Sequence, residues 1–223
     1  VDGVINYNVF ADKRIYEQLY ETNPAVRLIL GGEYVPLRTQ FQGLEYEVKE
    51  RVTDVLITTG GGDADNIAGQ ILNEIYDPKI CFHVLSGRFN PHFEELKERA
   101  DSTDNIRIHH DVTDMAGLMQ GCYLAVSAGG STIYELCAAG VPFVCFSYAE
   151  NQEALVEYIG ANEIAKSAGA WHKDDRACRE EIGRQFEELC ADTALRQRIS
   201  AIERKLIDGQ GAERLAWILA RKE

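Results

Sequence analysis

The sequence lacks any apolar run close to the ~20 residues that a membrane-spanning helix takes. It also lacks a basic segment followed by an apolar one, the pattern of a secretory signal peptide. Clusters of lysine and arginine are missing as well, since 23 basic residues stand against 36 acidic ones, with a formal net charge of −13. Because nucleic-acid binding needs a clustered basic face, we expect neither a nucleic-acid partner nor a membrane partner.

Paired cysteines are absent too. None of the six cysteines forms a C-x-x-C pair, and several lie inside apolar runs such as 80–82 and 144–146. This distribution is typical of buried free thiols in a reducing cytoplasm rather than of disulfides or a metal site. Asp63 and Asp65 have the spacing of a metal-bound diphosphate motif, but helix capping explains them better. We therefore predict a cytoplasmic protein without a bound metal.

Apolar runs bounded by turn residues alternate with helical patterns along the chain. The predicted strands are 3–6, 27–30, 54–58, 80–85, 106–109, 124–127, 143–146 and 164–166. The predicted helices are 13–21, 42–51, 64–74, 92–99, 115–121, 132–139, 151–159, 174–191 and 194–222, the last broken near Gly209. Strands joined by crossover helices predict an α/β fold with a doubly wound parallel sheet, which binds ligands at the carboxyl ends of its strands.

The beginning of the chain differs from the rest. Residues 1–40 are rich in turn signals and are predicted to be a connector, whereas 41–223 form the main domain. The chain also starts with Val1 rather than Met, inside a predicted strand. We therefore expect an N-terminal portion to be missing.

The first motif is a run of three glycines, 60–62, between the predicted strand at 54–58 and a predicted helix. Glycines let the main chain approach a ligand closely, and a helix start offers unpaired N–H groups suited to phosphate. The alternative is a tight turn with Asp63 as the helix cap. The run is neither a G-x-G-x-x-G nor a P-loop pattern, which argues against a dinucleotide or ATP.

A second strand–glycine–helix turn follows the predicted strand at 124–127. Glu135 lies one turn inside the helix, where it can accept hydrogen bonds from ribose hydroxyls. It stands four positions after Ser131 rather than three, so a capping pair explains it less well. The candidate ligand-binding residues of this turn are Ser127, Gly129, Gly130, Ser131 and Thr132.

The third motif places Asn151 and Gln152 after the predicted strand at 143–146. Polar side chains at this position either cap the following helix or bind sugar hydroxyls, and the sequence leaves both interpretations open.

These motifs together resemble a known family. The Gly-Gly-Ser-Thr run with Glu135, the segment 110–119 and Glu150-Asn151-Gln152 resemble the C-terminal, Rossmann-like domain of GT-B nucleotide-sugar enzymes. The segments 4–8 and 30–41 extend the resemblance to the UDP-2,4-diacetamido-2,4,6-trideoxy-β-L-altropyranose hydrolases of pseudaminic acid biosynthesis and their spore-coat polysaccharide relatives. The similarity covers roughly residues 1–160. Residues 1–40 would then be a remnant of the N-terminal domain and its linker.

The resemblance implies a function. Enzymes of this family hydrolyse the anomeric C–O bond of a UDP-sugar with water, release UDP and a 2,4-diacetamido-2,4,6-trideoxyhexose, and need no redox cofactor. It implies that the main chain of Val112 lies against uracil and that Glu135 holds the ribose. It also implies a diphosphate site at Gly129, Gly130, Ser131 and Thr132, with Gly61 and Gly62 nearby and Asn151 and Gln152 near the β-phosphate or sugar.

One departure concerns the catalytic base. The family carries a Gly-x-Gly-His-x-x-Arg loop in its N-terminal domain, whose histidine is taken as the base, and this sequence contains no such segment. The five histidines do not replace it, although His109 and His110 end a strand on the ligand side. We therefore leave the catalytic residue unassigned and expect this chain to bind UDP without hydrolysing UDP-sugar efficiently. A GT-B glycosyltransferase and a non-catalytic UDP-sugar binding module are the alternatives.

Overall fold

The computed structural model describes residues 1–220 of the chain. Within that range the strands are β1 (Gly3–Asn6), β2 (Arg27–Leu30), β3 (Asp54–Thr58), β4 (Cys81–Leu85), β5 (Ile106–His109), β6 (Leu124–Ala128), β7 (Phe143–Ser147) and β8 (Lys166–Ala170). The helices are α1 (Lys13–Leu19), α2 (Ile67–Glu74), α3 (Phe93–Asp101), α4 (Met115–Gln120), α5 (Ser131–Ala139), α6 (Glu150–Ala161), α7 (Asp175–Ala191), α8 (Thr193–Leu206) and α9 (Gly211–Ala220). None of these helices combines the length and apolar character needed to cross a membrane.

Six strands form one parallel sheet in the order β5-β4-β3-β6-β7-β8. The predicted doubly wound α/β fold is therefore confirmed. The chain builds outward from β3 through β4 to β5 and then returns to start the other half at β6, beside β3. In such sheets the loops diverge at this reversal and leave a crevice at the carboxyl ends of the two central strands. Thr58 and Ser127 are cross-strand neighbours at that point.

The central strands are buried on both faces, as expected for a parallel sheet covered by helices on both sides. Val55, Leu56 and Ile57 of β3 have no exposed surface, and every residue of β6 and β7 is buried. The sheet is thus a rigid base from which the loops at its carboxyl edge project.

The first 30 residues form a separate small unit, in which β1 and β2 pair in parallel and α1 connects them. A linker with two short 3₁₀ turns, Gly32–Tyr34 and Thr39–Phe41, leads from this unit to the sheet. Phe41 is only 1% exposed and belongs to the same hydrophobic core as the sheet. The predicted division at residue 40 stays a prediction, because the linker packs closely on the main domain.

The predicted helix at 42–51 is wrong, since residues 42–43 form a turn, 44–49 have no regular secondary structure and 50–51 form a bend. Residues 42, 44, 46 and 48 are half-buried, whereas 43, 45, 47 and 49 are exposed. This period of two follows the alternation of Leu44, Tyr46 and Val48 with charged residues, a pattern that fits extended backbone rather than a helix.

Other predicted elements differ only at their ends. The helix predicted from residue 64 begins at Ile67, because Asp63 and Asn66 adopt positive φ angles of 51° and 53° and interrupt the helix there. The weak strand predicted at 164–166 lies slightly later, at β8. The predicted break near Gly209 is confirmed, with α8 before it and α9 after it. Positions 221–222 of that predicted helix lie outside the described residues.

Candidate functional site

Loops from several strands meet at the carboxyl edge of the sheet. The hydroxyl of Tyr148, in the loop after β7, lies 3.6 Å from the position that a Cβ on Gly60 would occupy. A Cβ on Gly87, after β4, would lie 2.4 Å from the Cα of Gly61, so these two loops touch main chain to main chain. Phe89 N–H donates to the Gly61 carbonyl at 3.2 Å and holds that contact.

The three-glycine loop is followed by a helix whose start is already occupied. The carboxylate of Asp63 accepts hydrogen bonds from the N–H groups of Ile67, at 2.6 Å, and Ala68, at 3.1 Å. The side chain of Asn66 accepts another from Gly69. The expectation that this helix start offers unpaired N–H groups to a phosphate is therefore wrong, because a side-chain carboxylate takes that place.

Gly61 and Gly62 nevertheless remain candidates for ligand contact. Both are exposed, and a Cβ added at either position would meet no atom within 4 Å. They line open space at the reversal of strand order, and their role as binding residues stays a prediction.

The start of α5 contrasts with that of α2. Its cap residue, Gly130, has extended backbone and no side chain to bond the first turn. Ser131 is exposed and Thr132 is half-buried, at the edge of the crevice beside β3. A nine-residue helix with an uncapped start presents free N–H groups and the positive end of its dipole, a suitable site for an anion.

Two residues predicted for the same turn point into the protein instead. Ser127 is fully buried, and its hydroxyl donates to the Ala128 carbonyl at 3.1 Å. Gly129 is buried, and its N–H donates to the Phe146 carbonyl at 2.8 Å. A Cβ on Gly129 would lie 2.7 Å from Cγ2 of Val156, so this glycine lets α6 pack against the turn. The structure explains both residues by packing, and their predicted contact with ligand stays untested.

Glu135 lies one turn into α5 and forms an ion pair with the linker. Nη2 of Arg38 donates to Oε1 of Glu135 at 2.9 Å, and the Glu135 side chain is 17% exposed. The Arg38 guanidinium also lies over the Phe41 ring, 5.6 Å from its centroid. Oε2 of Glu135 has no hydrogen-bond partner among residues 1–220, so it can accept a bond from a ligand hydroxyl.

The loop that carries Val112 is held by the same linker. Gln40 donates to the Thr113 carbonyl at 3.3 Å and accepts a bond from the Ala116 N–H at 2.9 Å. Neither the N–H nor the carbonyl of Val112 bonds to another residue of the described chain. Through Arg38 and Gln40, residues 38–40 therefore join the two positions predicted to hold uracil and ribose.

The two residues of the third motif, Asn151 and Gln152, have different surroundings, so the two interpretations that the sequence left open apply to different residues. The side-chain oxygen of Gln152 accepts a bond from the Tyr148 N–H at 3.0 Å and so fixes the loop before α6. Asn151 is exposed, and its side chain bonds to no other residue within 1–220. Gln152 supports the loop, whereas Asn151 faces solvent at the helix start.

The histidines at the end of β5 are both engaged with the protein. His109 contacts His83 ring nitrogen to ring nitrogen at 2.9 Å, and burial lowers the pKa of His109. The Nδ1 atom of His110 lies 3.2 Å from the Ser86 carbonyl. Each ring thus has one nitrogen held by the protein, and the catalytic residue remains unassigned.

Tyr134 connects α5 to the small N-terminal unit. Its hydroxyl donates to Oδ1 of Asn8 at 3.2 Å, and its ring meets that of Tyr7 edge to face with centroids 6.5 Å apart. Burial raises the pKa of Tyr134 to about 12, so the hydroxyl stays neutral and keeps its proton for this bond. Helix α5 is thus anchored to the small N-terminal unit.

Sequence reasoning missed four residues that shape this edge, namely Arg38, Gln40, Gly87 and Tyr148. A glycine two positions after a strand, as at Gly87, is a signal that the sequence offers, because the carboxyl edge is the predicted ligand side. The partners of Arg38 and Gln40 lie 97 and more than 70 positions away, and one sequence gives no signal of such pairings.

No protein-family model matches the chain. Among characterised proteins, the chain is 27% identical over 228 residues to the spore coat polysaccharide biosynthesis protein SpsG of Bacillus subtilis, covering 98% of this chain and 64% of that protein. It is 28% identical over 158 residues to the UDP-2,4-diacetamido-2,4,6-trideoxy-beta-L-altropyranose hydrolase of Campylobacter jejuni, covering 71% of this chain and 57% of the hydrolase. The chain therefore spans less than two thirds of the length of either relative.

A third relative is a transferase. The UDP-N-acetylglucosamine--N-acetylmuramyl-(pentapeptide) pyrophosphoryl-undecaprenol N-acetylglucosamine transferase of Exiguobacterium sp. is 33% identical over 128 residues, covering 56% of this chain and 33% of the transferase.

Solved structures agree on the fold. The glycosyltransferase WaaG of lipopolysaccharide biosynthesis aligns with a TM-score of 0.61 at 15% identity, covering 99% of this chain and 62% of WaaG. The pneumococcal O-GlcNAc transferase GtfA, solved with UDP and GlcNAc, aligns with a TM-score of 0.60 at 15% identity, covering 98% of this chain and 45% of GtfA. The chain thus has the α/β Rossmann-like fold found in GT-B glycosyltransferases, and in sequence it is similar to GT-B nucleotide-sugar enzymes.

Proposed function

We propose that this chain is the UDP-binding part of an enzyme that acts on a UDP-sugar. The observation that carries the proposal is the uncapped start of α5 at Gly130 with the carboxylate of Glu135 one turn further along. The free N–H groups of Ser131 and Thr132 suit a diphosphate, and Glu135 suits the two ribose hydroxyls next to it.

The same geometry also supports a binding position for the uracil base. The unbonded N–H and carbonyl of Val112 form a donor and acceptor pair that matches the edge of uracil. Gln40 and Arg38 fix this loop relative to Glu135, so the distance between the base and ribose contacts is set by the linker. Gly61, Gly62 and Asn151 then line the side of the crevice towards the sugar.

In this proposal the protein helps the anomeric C–O bond to break. As the bond breaks, negative charge develops on the departing diphosphate, and the fixed N–H groups at the start of α5 stabilise it without reorganising. The bonding electrons leave with UDP, and a nucleophile attacks the anomeric carbon. We propose water as that nucleophile, which makes the whole protein a UDP-sugar hydrolase in the synthesis of a nonulosonic acid or surface polysaccharide. The similarity to the C. jejuni hydrolase supports this choice.

A glycosyltransferase is the second candidate. The similarity to the Exiguobacterium transferase favours it, and the fold comparisons also match transferases. The two functions share the donor site described above and differ in the acceptor. Incubation of the longest natural form of the protein with UDP-sugar separates them, since free sugar identifies a hydrolase and a glycosylated acceptor identifies a transferase.

Titration calorimetry with UDP, GDP and TDP tests the binding site itself. We expect the chain to bind UDP most tightly. Glu135→Ala should weaken UDP binding by about 1–3 kcal/mol, the usual loss for hydrogen bonds to a charged group. Glu98→Ala removes the same charge from an exposed position on α3 and serves as the matched control. Equal affinity of the Glu135 and Glu98 variants would contradict the proposed ribose contact.

A further inference from the structure

A group of metal-ligating side chains lies towards the amino ends of β3 and β4, whereas the glycine turns lie at the carboxyl ends of the strands. Asp54 is the first residue of β3, Cys81 is the first residue of β4, and His83 follows two positions later. The carboxylate oxygen, the sulfur and the ring nitrogen that these side chains offer all lie within 4.8 Å of one another. Neither the predicted UDP site nor the catalytic chemistry uses any of them.

The strand register brings these residues together. Asp54 and Cys81 are direct neighbours across the β3–β4 pair. Side chains two positions apart on a strand project from the same face, so His83 lies beside Cys81 on that face. The Nε2 atom of His83 is 3.0 Å from Oδ1 of Asp54. Rigid backbone of the main sheet therefore supports all three groups.

Two outer contacts fix the orientation of these side chains. Nδ1 of His83 is 2.9 Å from Nε2 of His109, which leaves the Nε2 atom of His83 directed towards Asp54. The Thr53 hydroxyl donates to Oδ2 of Asp54 at 2.8 Å, which leaves Oδ1 directed towards His83. Metal-binding histidines and carboxylates in proteins are usually held by such hydrogen bonds to their second atoms.

We propose that Asp54, Cys81 and His83 bind a divalent transition metal of the zinc class, with water as the fourth ligand. Carboxylate, thiolate and imidazole are the three ligand types that zinc takes in proteins. With metal–ligand bonds of about 2.0–2.3 Å, a tetrahedral ion needs its ligand atoms roughly 3.3–3.7 Å apart. The His83–Asp54 separation is already close to that spacing, and the sulfur of Cys81 lies within 4.8 Å of both ligand atoms.

The site is open to solvent on one side. The Asp54 side chain is 27% exposed and Cys81 is partly exposed, whereas the His83 side chain is 10% exposed. A metal can therefore enter without unfolding the sheet. Since the ligands begin β3 and β4, the metal would join the two strands at the end away from the crevice. We infer a stabilising role, with UDP binding unchanged.

Titration of the metal-free protein with Co²⁺ tests this site, because a tetrahedral cobalt–thiolate complex absorbs strongly in the near ultraviolet and the visible. We expect one ion per chain and the thiolate band. Asp54→Asn and Cys81→Ser should each weaken binding by about tenfold or more, since even loss of an outer contact causes a tenfold effect. Cys190→Ser removes the other partly exposed thiol and should leave the titration unchanged.

Two measurements on the unaltered protein keep the test independent of variant folding. Zn²⁺ should raise the unfolding temperature and protect one of the two partly exposed thiols, Cys81, from alkylation while Cys190 still reacts. A Co²⁺ spectrum without a thiolate band, or alkylation of Cys81 at the same rate with and without Zn²⁺, would overturn the proposal.

Discussion

Arg38 and Glu135 lie 97 positions apart in the chain and form an ion pair with a nitrogen–oxygen distance of 2.9 Å. One side chain comes from the linker that follows the N-terminal unit, and the other from the helix that starts at the proposed diphosphate site. The ion pair therefore couples the position of the linker to that of Glu135, whose carboxylate we propose as the ribose contact. It also compensates the negative charge of Glu135 beside the position that we propose for an anionic ligand.

The first prediction concerns the compensation of the Glu135 charge by Arg38. Arg38→Gln should weaken UDP binding by about 1–2 kcal/mol, because the ligand would then meet an uncompensated carboxylate at short range. The free energy of unfolding should change by less than about 1 kcal/mol, since Arg38 is half exposed and such ion pairs contribute little to stability. Calorimetry at low and high salt checks the first effect, and urea denaturation checks the second.

The exposed pair of Arg176 and Glu180 on α7 provides the control for Arg38. Arg176→Gln makes the same change of charge away from the crevice and should leave UDP affinity unaltered. A loss of affinity of the same size in both variants would show that only the overall charge of the protein matters, and would contradict the local role of Arg38.

The second prediction uses the two adjacent glycines before α5. Gly129→Ala should destabilise the fold by about 1–3 kcal/mol, the usual cost of overpacking, because the new Cβ would lie 2.7 Å from Val156 and 3.0 Å from Cβ of Gln152. Gly130→Ala should leave stability nearly unchanged, because its Cβ would meet no atom within 4 Å and the backbone there is extended. Urea denaturation of both variants measures the difference.

The same pair of variants also tests the ligand site, through the affinity for UDP. The methyl group of Gly130→Ala would project at the start of α5, so we expect weaker UDP binding by a folded protein. Unchanged affinity for UDP in that variant would argue against a diphosphate at this helix start, whatever the stability of Gly129→Ala proves to be.

Several elements could be predicted from the sequence because the local pattern and the tertiary environment agree. Asp54–Thr58 has an apolar centre and Ile106–His109 alternates apolar and polar residues, and both are strands with the predicted bounds. The helix predicted at 42–51 is wrong, and the alternation of Leu44, Tyr46 and Val48 with charged residues 45, 47 and 49 is the local pattern that fits the structure. What decides its conformation is distant, since Arg196 of α8 donates to the carbonyls of Lys49 and Glu50.

The candidate site also combines features that the local sequence predicts with features that it does not. The glycine turns stand at strand ends and Glu135 lies one helical turn further on, where sequence and fold rules agree on a ligand site. The capping of α2 by Asp63 was visible as an alternative, but its geometry was not, because it depends on positive φ angles at Asp63 and Asn66. The ion pair with Arg38 depends on the path of the linker, which a local pattern does not encode.

The third prediction concerns the buried guanidinium of Arg196. Its side chain has no exposed surface and donates to carbonyls of the extended segment, Lys49 and Glu50, and of the end of α7, Leu189 and Cys190. Arg196→Met fills a similar volume but removes the guanidinium donor from all four carbonyls, of which that of Glu50 keeps the Thr193 hydroxyl as a second donor, so we expect a loss of about 3–5 kcal/mol. Arg198→Met, at an exposed position of the same helix, is the control and should cost less than about 0.5 kcal/mol.

Equilibrium unfolding in urea measures both arginine variants. If Arg196→Met were as stable as the control, the carbonyls would have to be satisfied by other donors, and the segment 42–51 would not depend on Arg196 for its extended path.

The last prediction concerns Glu203 of α8, which is fully buried and whose two carboxyl oxygens have no hydrogen-bond partner among residues 1–220. Burial raises the pKa of Glu203 well above 4.5, because no neighbouring cation compensates the charged form. The folded protein therefore holds this carboxyl protonated at a pH where the unfolded chain has already released the proton. A folded-state pKa above the unfolded value means that stability is greatest below the unfolded pKa and falls as pH rises towards the folded pKa.

Within that window the loss amounts to about 1.4 kcal/mol for each pH unit. Glu203→Gln keeps the shape of the side chain and removes the titration, so the variant should gain stability relative to the natural protein as pH rises from 5 to 8. Other titrating groups affect both proteins equally, and the difference between their free energies of unfolding isolates Glu203. Thermal and urea unfolding at several pH values measure this difference. A constant difference between pH 5 and pH 8 would mean that Glu203 ionises in the folded protein as readily as in the unfolded chain, and would contradict the prediction.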